Sequence, residues 1–251
     1  MSNDECRLCG DHANVSNRID HIAQTLQNTE HGWPLIEFGK MMSVDIILSD
    51  EMDTAGYFSQ SLMGGPEIYL NATLPDETLI MALAHELRHV EQMINLQATL
   101  HDFSLKDAVK LNRILEADAS AYSAAVSFEL YKKTGNKGFL AASEDYSEDD
   151  IRDAFNNAAD HSSPHQRHNP APFQAAFAQW FKKKERVHHY DRETRTLHTE
   201  FNKSLISLFF KKPETLVLND DIIAKFGDIS AEHNYLKNDK LRKTCRANRP
   251  G

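Results

Sequence analysis

Three residues in the first half of the chain have types and spacing suited to metal chemistry. His85 and His89 stand four residues apart and Glu86 follows the first of them, in the pattern His-Glu-x-x-His. On a helix, residues four apart lie on one face about one turn apart, so both imidazoles can bind the same cation. A neighbouring carboxylate can then accept a proton from water on that cation. The pattern predicts a zinc hydrolase with Glu86 as its general base.

The same pattern has a plainer interpretation, because a motif this short also arises by chance. The helix face could be solvated, with Arg88 and Glu91 forming an ordinary pair three residues apart. The elements that surround the motif must decide between the two interpretations.

Three strand-like patterns precede the motif, at 44–48, 56–60 and 67–71, and residues 64–66 supply turn chemistry between the last two. They predict a small antiparallel sheet, arranged as a meander. The last of these strands could be an edge on which an extended peptide adds as a further strand.

The motif itself falls in a predicted helix over 75–96. Thr73 fits its N-cap, and an apolar stripe from Leu79 to Ile94 lies beside the two histidines. The histidines are therefore expected at the margin of the core, where a metal can be half buried and still be reached.

A second long helix is predicted from a capping box at Ser104 and Asp107 to about residue 133, with Gly135 as its stop. Further helices are expected at 147–160, 172–184 and 192–210. The last fifteen residues are basic with few apolar partners and are expected to be largely disordered. The fold class is therefore α+β, with a small sheet packed on the motif helix and a mainly helical second half.

A catalytic zinc takes three protein ligands and keeps one position for water. A metzincin site is excluded, because Gln92 and Asn95 occupy the positions of its glycine and third histidine. A carboxylate from the second helix remains, either Glu116 or Asp118. Residues two apart point about 200° away from each other on a helix, so only one can face the metal. Helical position favours neither, and His101 and Asp102 lie in the expected loop.

The motif and its surroundings resemble gluzincin-like zinc metallopeptidases of bacteria, and most of all an uncharacterised metallopeptidase family. The residues that carry the resemblance are 68–71, 84–89 and Glu-Ala-Asp-Ala at 116–119, with weaker similarity at 176–181 and 186–191. The sequence departs from better-known gluzincins at Ser120, where they have an aspartate.

The resemblance implies one zinc per chain, with His85, His89 and Glu116 as ligands. It also implies that peptide bonds are hydrolysed by attack of a zinc-bound water assisted by Glu86. Tyr190 and His189, near the end of the similar segment, are the candidates for stabilising the oxyanion.

The alternative function is a non-catalytic binding or regulatory module on a zincin fold, in which the metal holds helices together. A third possibility is an interaction protein with a chance motif. The implied domain organisation is an N-terminal arm with a short helix at 1–40, a zincin-like metallopeptidase domain at 41–210, and a partly disordered extension at 211–251.

Composition restricts the partners. The chain has 251 residues, 41% of them hydrophobic, and a net charge of -9, which argues against nucleic acid as a partner. No signal peptide and no membrane-spanning run is apparent, so we expect a protein without a membrane partner that is cytoplasmic or is exported by a non-classical route. A peptide or protein substrate is expected.

Cysteine and histidine clusters outside the motif give weaker signals. Three cysteines do not form a disulfide framework, and Cys6, Cys9 and His12 lack the second cysteine pair of a metal knuckle. A reduced N-terminal arm is the better interpretation. Three histidines at positions 161, 165 and 168 fit a solvated loop better than a second metal site.

Overall fold

Helices form most of the chain, and the strands are few and short. A computed structural model describes residues 5–60, 65–145, 148–161, 169–203, 216–230 and 232–247. The contacts divide the chain into two units, 1–90 with 126–147 and 91–125 with 148–251. No helix of the described segments combines the length and the apolar character that crossing a membrane requires.

The first unit contains two N-terminal helices, a sheet and most of the motif helix. Its elements are α1 (Glu5–Gln27), α2 (Gly32–Met41), β1 (Asp45–Ser49), β2 (Gly56–Gln60), β3 (Pro66–Asn71), the greater part of α3 (Asp76–Leu96), the end of α4 (Leu105–Thr134) and α5 (Gly138–Asp145).

The second unit is built from helices and a small hairpin. Besides the end of α3 and most of α4 it contains a 3-10 helix η1 (Leu100–Asp102), α6 (Asp149–Asp160), α7 (Pro170–Trp180), α8 (Lys184–Lys203), α9 (Asp220–Ile223), β4 (Asp228–Ser230), β5 (His233–Asn234), a 3-10 helix η2 (Tyr235–Lys237) and α10 (Asp239–Ala247).

The three-stranded sheet is mixed, with the order β1-β3-β2, so the predicted antiparallel meander is wrong. β3 pairs with β1 in parallel and with β2 in antiparallel register. β3 is therefore the central strand, and it is not an edge available to a peptide. Ile68 and Leu70 of β3 are fully buried. The strand pattern shows which segments are strands but not which of them pair. β2 and β3 pair as consecutive strands usually do, whereas β1 pairs with β3 and not with β2.

The N-terminal arm contains a longer helix than predicted. α1 is 23 residues long, and the Arg18 guanidinium donates hydrogen bonds to the carbonyl oxygens of Ala72 and Leu74 and to the Asp76 carboxylate. This cation therefore joins α1 to the start of α3. Cys6, Cys9 and His12, for which a reduced arm was the better interpretation than a metal knuckle, have side chains outside the described part of the structure.

Helix α3 has the predicted length and apolar stripe, but its predicted N-cap is wrong. The Thr73 hydroxyl donates to the Asn71 side chain, while the N–H of Leu79 donates to the carbonyl oxygen of Pro75. Thr73 therefore belongs to the preceding turn and does not cap the helix. Gly39 of α2 approaches this helix so closely that a Cβ there would stand 2.8 Å from Leu87, which shows that α2 packs directly on α3.

Helix α4 begins and ends as its sequence predicts. The Ser104 hydroxyl accepts a hydrogen bond from the N–H of Asp107 at 3.2 Å. At the other end, Gly135 has φ of 70°, the left-handed conformation in which glycine ends helices.

The second unit has an aromatic core that includes a residue of the predicted C-terminal extension at 211–251. Phe173, Phe177, Trp180 and Tyr235 are almost completely buried. The expected disorder of the last fifteen residues is wrong for 239–247, which form α10, because Leu241 on that helix is buried. Residues 248–251 lie outside the described residues. Helix α8 begins earlier than predicted, at Lys184.

The α+β class is confirmed by this mixture of helices and small sheets. The predicted division at residues 40 and 210 stays a prediction.

Candidate metal centre

The two motif histidines face each other on α3. Their Nε2 atoms are 3.0 Å apart, and the rings meet at 78° with centroids 4.7 Å apart. Two nitrogens bound tetrahedrally to one zinc at about 2.0–2.1 Å would be about 3.3 Å apart. The imidazoles therefore already have nearly the spacing that a shared cation requires.

The motif helix is buried around these residues. His85, Glu86 and Arg88 are 4%, 5% and 2% exposed, and Leu83 and Val90 are fully buried. The solvated-face interpretation of the motif, with Arg88 in a surface pair, is therefore wrong. Burying several polar side chains on one helix is costly unless each has a partner, so such a cluster calls for a specific role.

Glu116 of α4 completes the group. One potential ligand atom each from His85, His89 and Glu116 lies within 4.8 Å of the other two. In the described part of the chain, this is the one group of three or more such side chains that could hold a metal ion. Two imidazoles and a carboxylate are the donor set of many catalytic zinc sites, and three donors leave a position for water.

Asp118, the competing carboxylate, is engaged elsewhere. It is fully buried, and its two oxygens accept hydrogen bonds from the Tyr235 hydroxyl at 2.5 Å and the Gln92 amide at 2.8 Å. Sequence reasoning missed this network, although Gln92 stands only three residues after His89 on the same helix. Tyr235 gave no comparable signal, because it is 117 positions from Asp118 in the chain.

The loop residues His101 and Asp102 also make other contacts. The His101 ring stacks on Phe201, with centroids 3.9 Å apart, and lies 5.7 Å from the ring of His198. Burial lowers the pKa of His101, and His198 lowers it further, while Asp102 opposes them. The Asp102 carboxylate accepts a hydrogen bond from the N–H of Thr99.

The two oxyanion candidates lie on α8. The His189 side chain is 55% exposed and pairs with Glu193 at 3.3 Å, and the half-buried Tyr190 packs its ring 5.5 Å from Trp180. His189 is not part of the three-residue group. A role for either residue in the reaction stays a prediction.

The neighbour of Tyr190 has a structural contact that the sequence did not reveal. Asp191 is buried and accepts two hydrogen bonds from the guanidinium of Arg113, at 2.6 and 2.5 Å. This bidentate pair joins α8 to α4, three residues before Glu116. Ser120, where gluzincins have an aspartate, donates a hydrogen bond to the buried Glu148 carboxylate at 2.5 Å.

A family model described as "Putative metallopeptidase family (DUF6782)" matches residues 4–236. The chain belongs to this family. The match includes α1, the motif helix, Glu116 and Tyr235. A search of curated proteins and a search of solved structures each found no match. The family name implies a metal, and the group formed by His85, His89 and Glu116 is a possible site for it.

Proposed function

We propose that this protein is a zinc-dependent metallopeptidase of the gluzincin type. His85, His89 and Glu116 are the metal ligands, and Glu86 is the general base. The observation that supports this most is the convergence of two imidazole Nε2 atoms 3.0 Å apart with a carboxylate from another helix. Membership of a metallopeptidase family gives the reaction class.

When bound, zinc would lower the pKa of water and polarise the scissile carbonyl group. The chain supplies the proton transfer. Glu86 accepts a proton from the attacking water while the water oxygen forms a bond to the carbonyl carbon. The same carboxylic acid then gives the proton to the amide nitrogen as the carbon–nitrogen bond breaks.

The position of Glu86 suits this role. It follows His85 directly on α3 and is only 5% exposed. Little bulk water therefore reaches this carboxylate, so the attacking water would be its proton donor and the leaving amine its proton acceptor. Oxyanion stabilisation by Tyr190 or His189 is part of the proposal.

The decisive experiment compares metal content and peptide cleavage in three proteins. Wild-type protein is expected to retain about one zinc per chain and to cleave members of a diverse peptide library. Glu86→Gln removes the proton acceptor but none of the ligands, so it should keep the zinc and lose at least about 100-fold in cleavage rate. Glu185→Gln, on the exposed surface of α8, is the matched control and should behave as wild type.

Two results would contradict the proposal. Wild-type protein that binds no zinc would remove the metal site. Full cleavage by zinc-loaded Glu86→Gln would remove the assigned base. If zinc binds but no peptide in the library is cleaved, a non-catalytic, metal-stabilised module becomes the better description.

A further inference from the structure

A network of buried hydrogen bonds connects the helices that carry the proposed metal ligands with the C-terminal part of the chain. Asp118 is fully buried, Gln92 is 2% exposed, and Tyr235 is fully buried. The Tyr235 hydroxyl donates to one oxygen of Asp118 and the Gln92 amide donates to the other. Because a buried carboxylate is costly unless hydrogen-bonded, these contacts fix the orientation of Asp118.

Gln92 holds α4 on both sides of Glu116. Its Nε2 donates to the main-chain carbonyl oxygen of Leu115 at 2.9 Å as well as to the Asp118 carboxylate at 2.8 Å. Leu115 directly precedes Glu116, and Asp118 is two residues after it. Gln92 is itself three residues after His89 on α3. The amide thus connects the helix segment that follows one proposed ligand with the segment that carries another.

Aromatic and main-chain contacts position Tyr235 so that its hydroxyl donates to Asp118. Its ring packs against Phe173 and Phe177, with centroids 5.6 and 5.8 Å away, and its N–H donates to the carbonyl oxygen of Gly227. Gly227 has φ of 77°, and a Cβ there would stand 2.6 Å from Leu236. This turn places Tyr235 against α4.

We propose that Tyr235, Asp118 and Gln92 are positioning residues that hold Glu116 in register with His89 for metal binding. The inference rests on the proposed function, because it assigns the ligands as above. It makes the C-terminal segment around Tyr235 a support of the metal site. Outer hydrogen bonds that orient ligands typically change metal affinity by about 10–100-fold.

The test uses Tyr235→Phe in the full-length protein, with Tyr122→Phe as the matched control. Tyr122 is also a buried tyrosine of the second unit, it also contacts Phe173, and its hydroxyl donates to the carbonyl oxygen of Asp228. Both variants lose one buried hydroxyl. Only Tyr235→Phe removes a donor to Asp118.

Zinc affinity is measured by competition with a chromophoric chelator, at a temperature where all variants are folded. We expect the dissociation constant to rise about 10–100-fold in Tyr235→Phe and by less than about threefold in Tyr122→Phe. The visible absorption spectrum of the cobalt-substituted protein should change in Tyr235→Phe only. A purely structural role of Tyr235 would lower the unfolding temperature without moving either readout.

Gln92→Met gives a second test if Tyr235→Phe folds poorly. It keeps the length of the side chain but removes the amide, and it should also weaken zinc binding. Because both residues act through Asp118, the double variant should lose less affinity than the product of the two single losses.

Equal zinc affinities in wild type, Tyr235→Phe and Gln92→Met would overturn this inference while leaving the proposed function intact. An equal loss in Tyr122→Phe and Tyr235→Phe would also overturn it. Wild-type protein that binds no zinc would instead refute the proposed function, and the inference with it.

Discussion

At the scale of single residues, protonation of His101 should lower the free energy of unfolding. Its pKa is lowered by burial and by His198. The unfolded chain, with an ordinary histidine pKa of about 6.5, therefore binds a proton at a higher pH than the folded chain does. Stability from this residue is fully present above about pH 6.5 and is lost as the pH falls towards the folded-state value.

We therefore expect His101→Phe to reduce the loss of stability between pH 7 and pH 5. The variant keeps an aromatic ring against Phe201, so the stacking is preserved. Urea unfolding at several pH values measures the difference from wild type. His188→Gln, at an exposed position of α8, should leave the wild-type profile unchanged. Parallel profiles for wild type and His101→Phe would contradict the assignment.

At the scale of elements, Asp150 connects α6 to α7 and to α8. Its carboxylate accepts hydrogen bonds from the buried Arg186 at 2.5 Å and from Gln179 at 3.0 Å. Burial alone would raise the pKa of Asp150, but the bonds from Arg186 and Gln179 outweigh it and keep the pKa below its usual value. The stability that this pair contributes is present above about pH 4, the usual aspartate range, and is lost as the pH falls through the folded-state value.

Asp150→Asn should cost about 1–3 kcal/mol of unfolding free energy near pH 7, since it removes a charged partner of the buried Arg186 guanidinium. The cost should shrink as the pH falls below about 4. Chemical denaturation at pH 7 and at pH 3.5 tests both parts.

Asp153→Asn is the control for this experiment. The Asp153 side chain is 59% exposed and pairs with Arg152, so its loss should cost only about 0–1 kcal/mol. Because Arg152 and Arg186 are equally buried and the Asp150 side chain is only 27% exposed, equal costs for the two substitutions would show that the lower exposure of Asp150 does not matter.

At the scale of the whole molecule, the metal should act as a stabilising ligand. A ligand that binds only the folded state adds stability that rises with the logarithm of its free concentration relative to the dissociation constant, and reaches about 2.7 kcal/mol at a free concentration 100 times that constant. We therefore expect a chelator to lower the unfolding temperature of zinc-loaded wild-type protein measurably.

The control for metal removal is His85→Ala, which lacks one proposed ligand. Its unfolding temperature should not depend on the chelator. A chelator effect of the same size in wild type and His85→Ala would place the stabilising metal elsewhere.

The sequence by itself determined the two long central helices α3 and α4 and the spacing of the motif histidines, because these depend on local periodicity, whereas α2 and α5 were not predicted. Four-residue spacing puts His85 and His89 on one face of any helix, and Ser104 and Gly135 mark the ends of α4 through contacts within a few residues. The resemblance, and not the helical pattern, preferred Glu116 over Asp118.

Only the tertiary structure decided the order of the strands, the burial of Arg88 and the partners of Asp118. β3 is central because it pairs on both sides, which no pattern within one strand can reveal. Tyr235 reaches Asp118 from 117 positions away, and α10 is ordered because Leu241 is buried. Such contacts depend on where distant segments pack, so their energies are absent from any local window of the sequence.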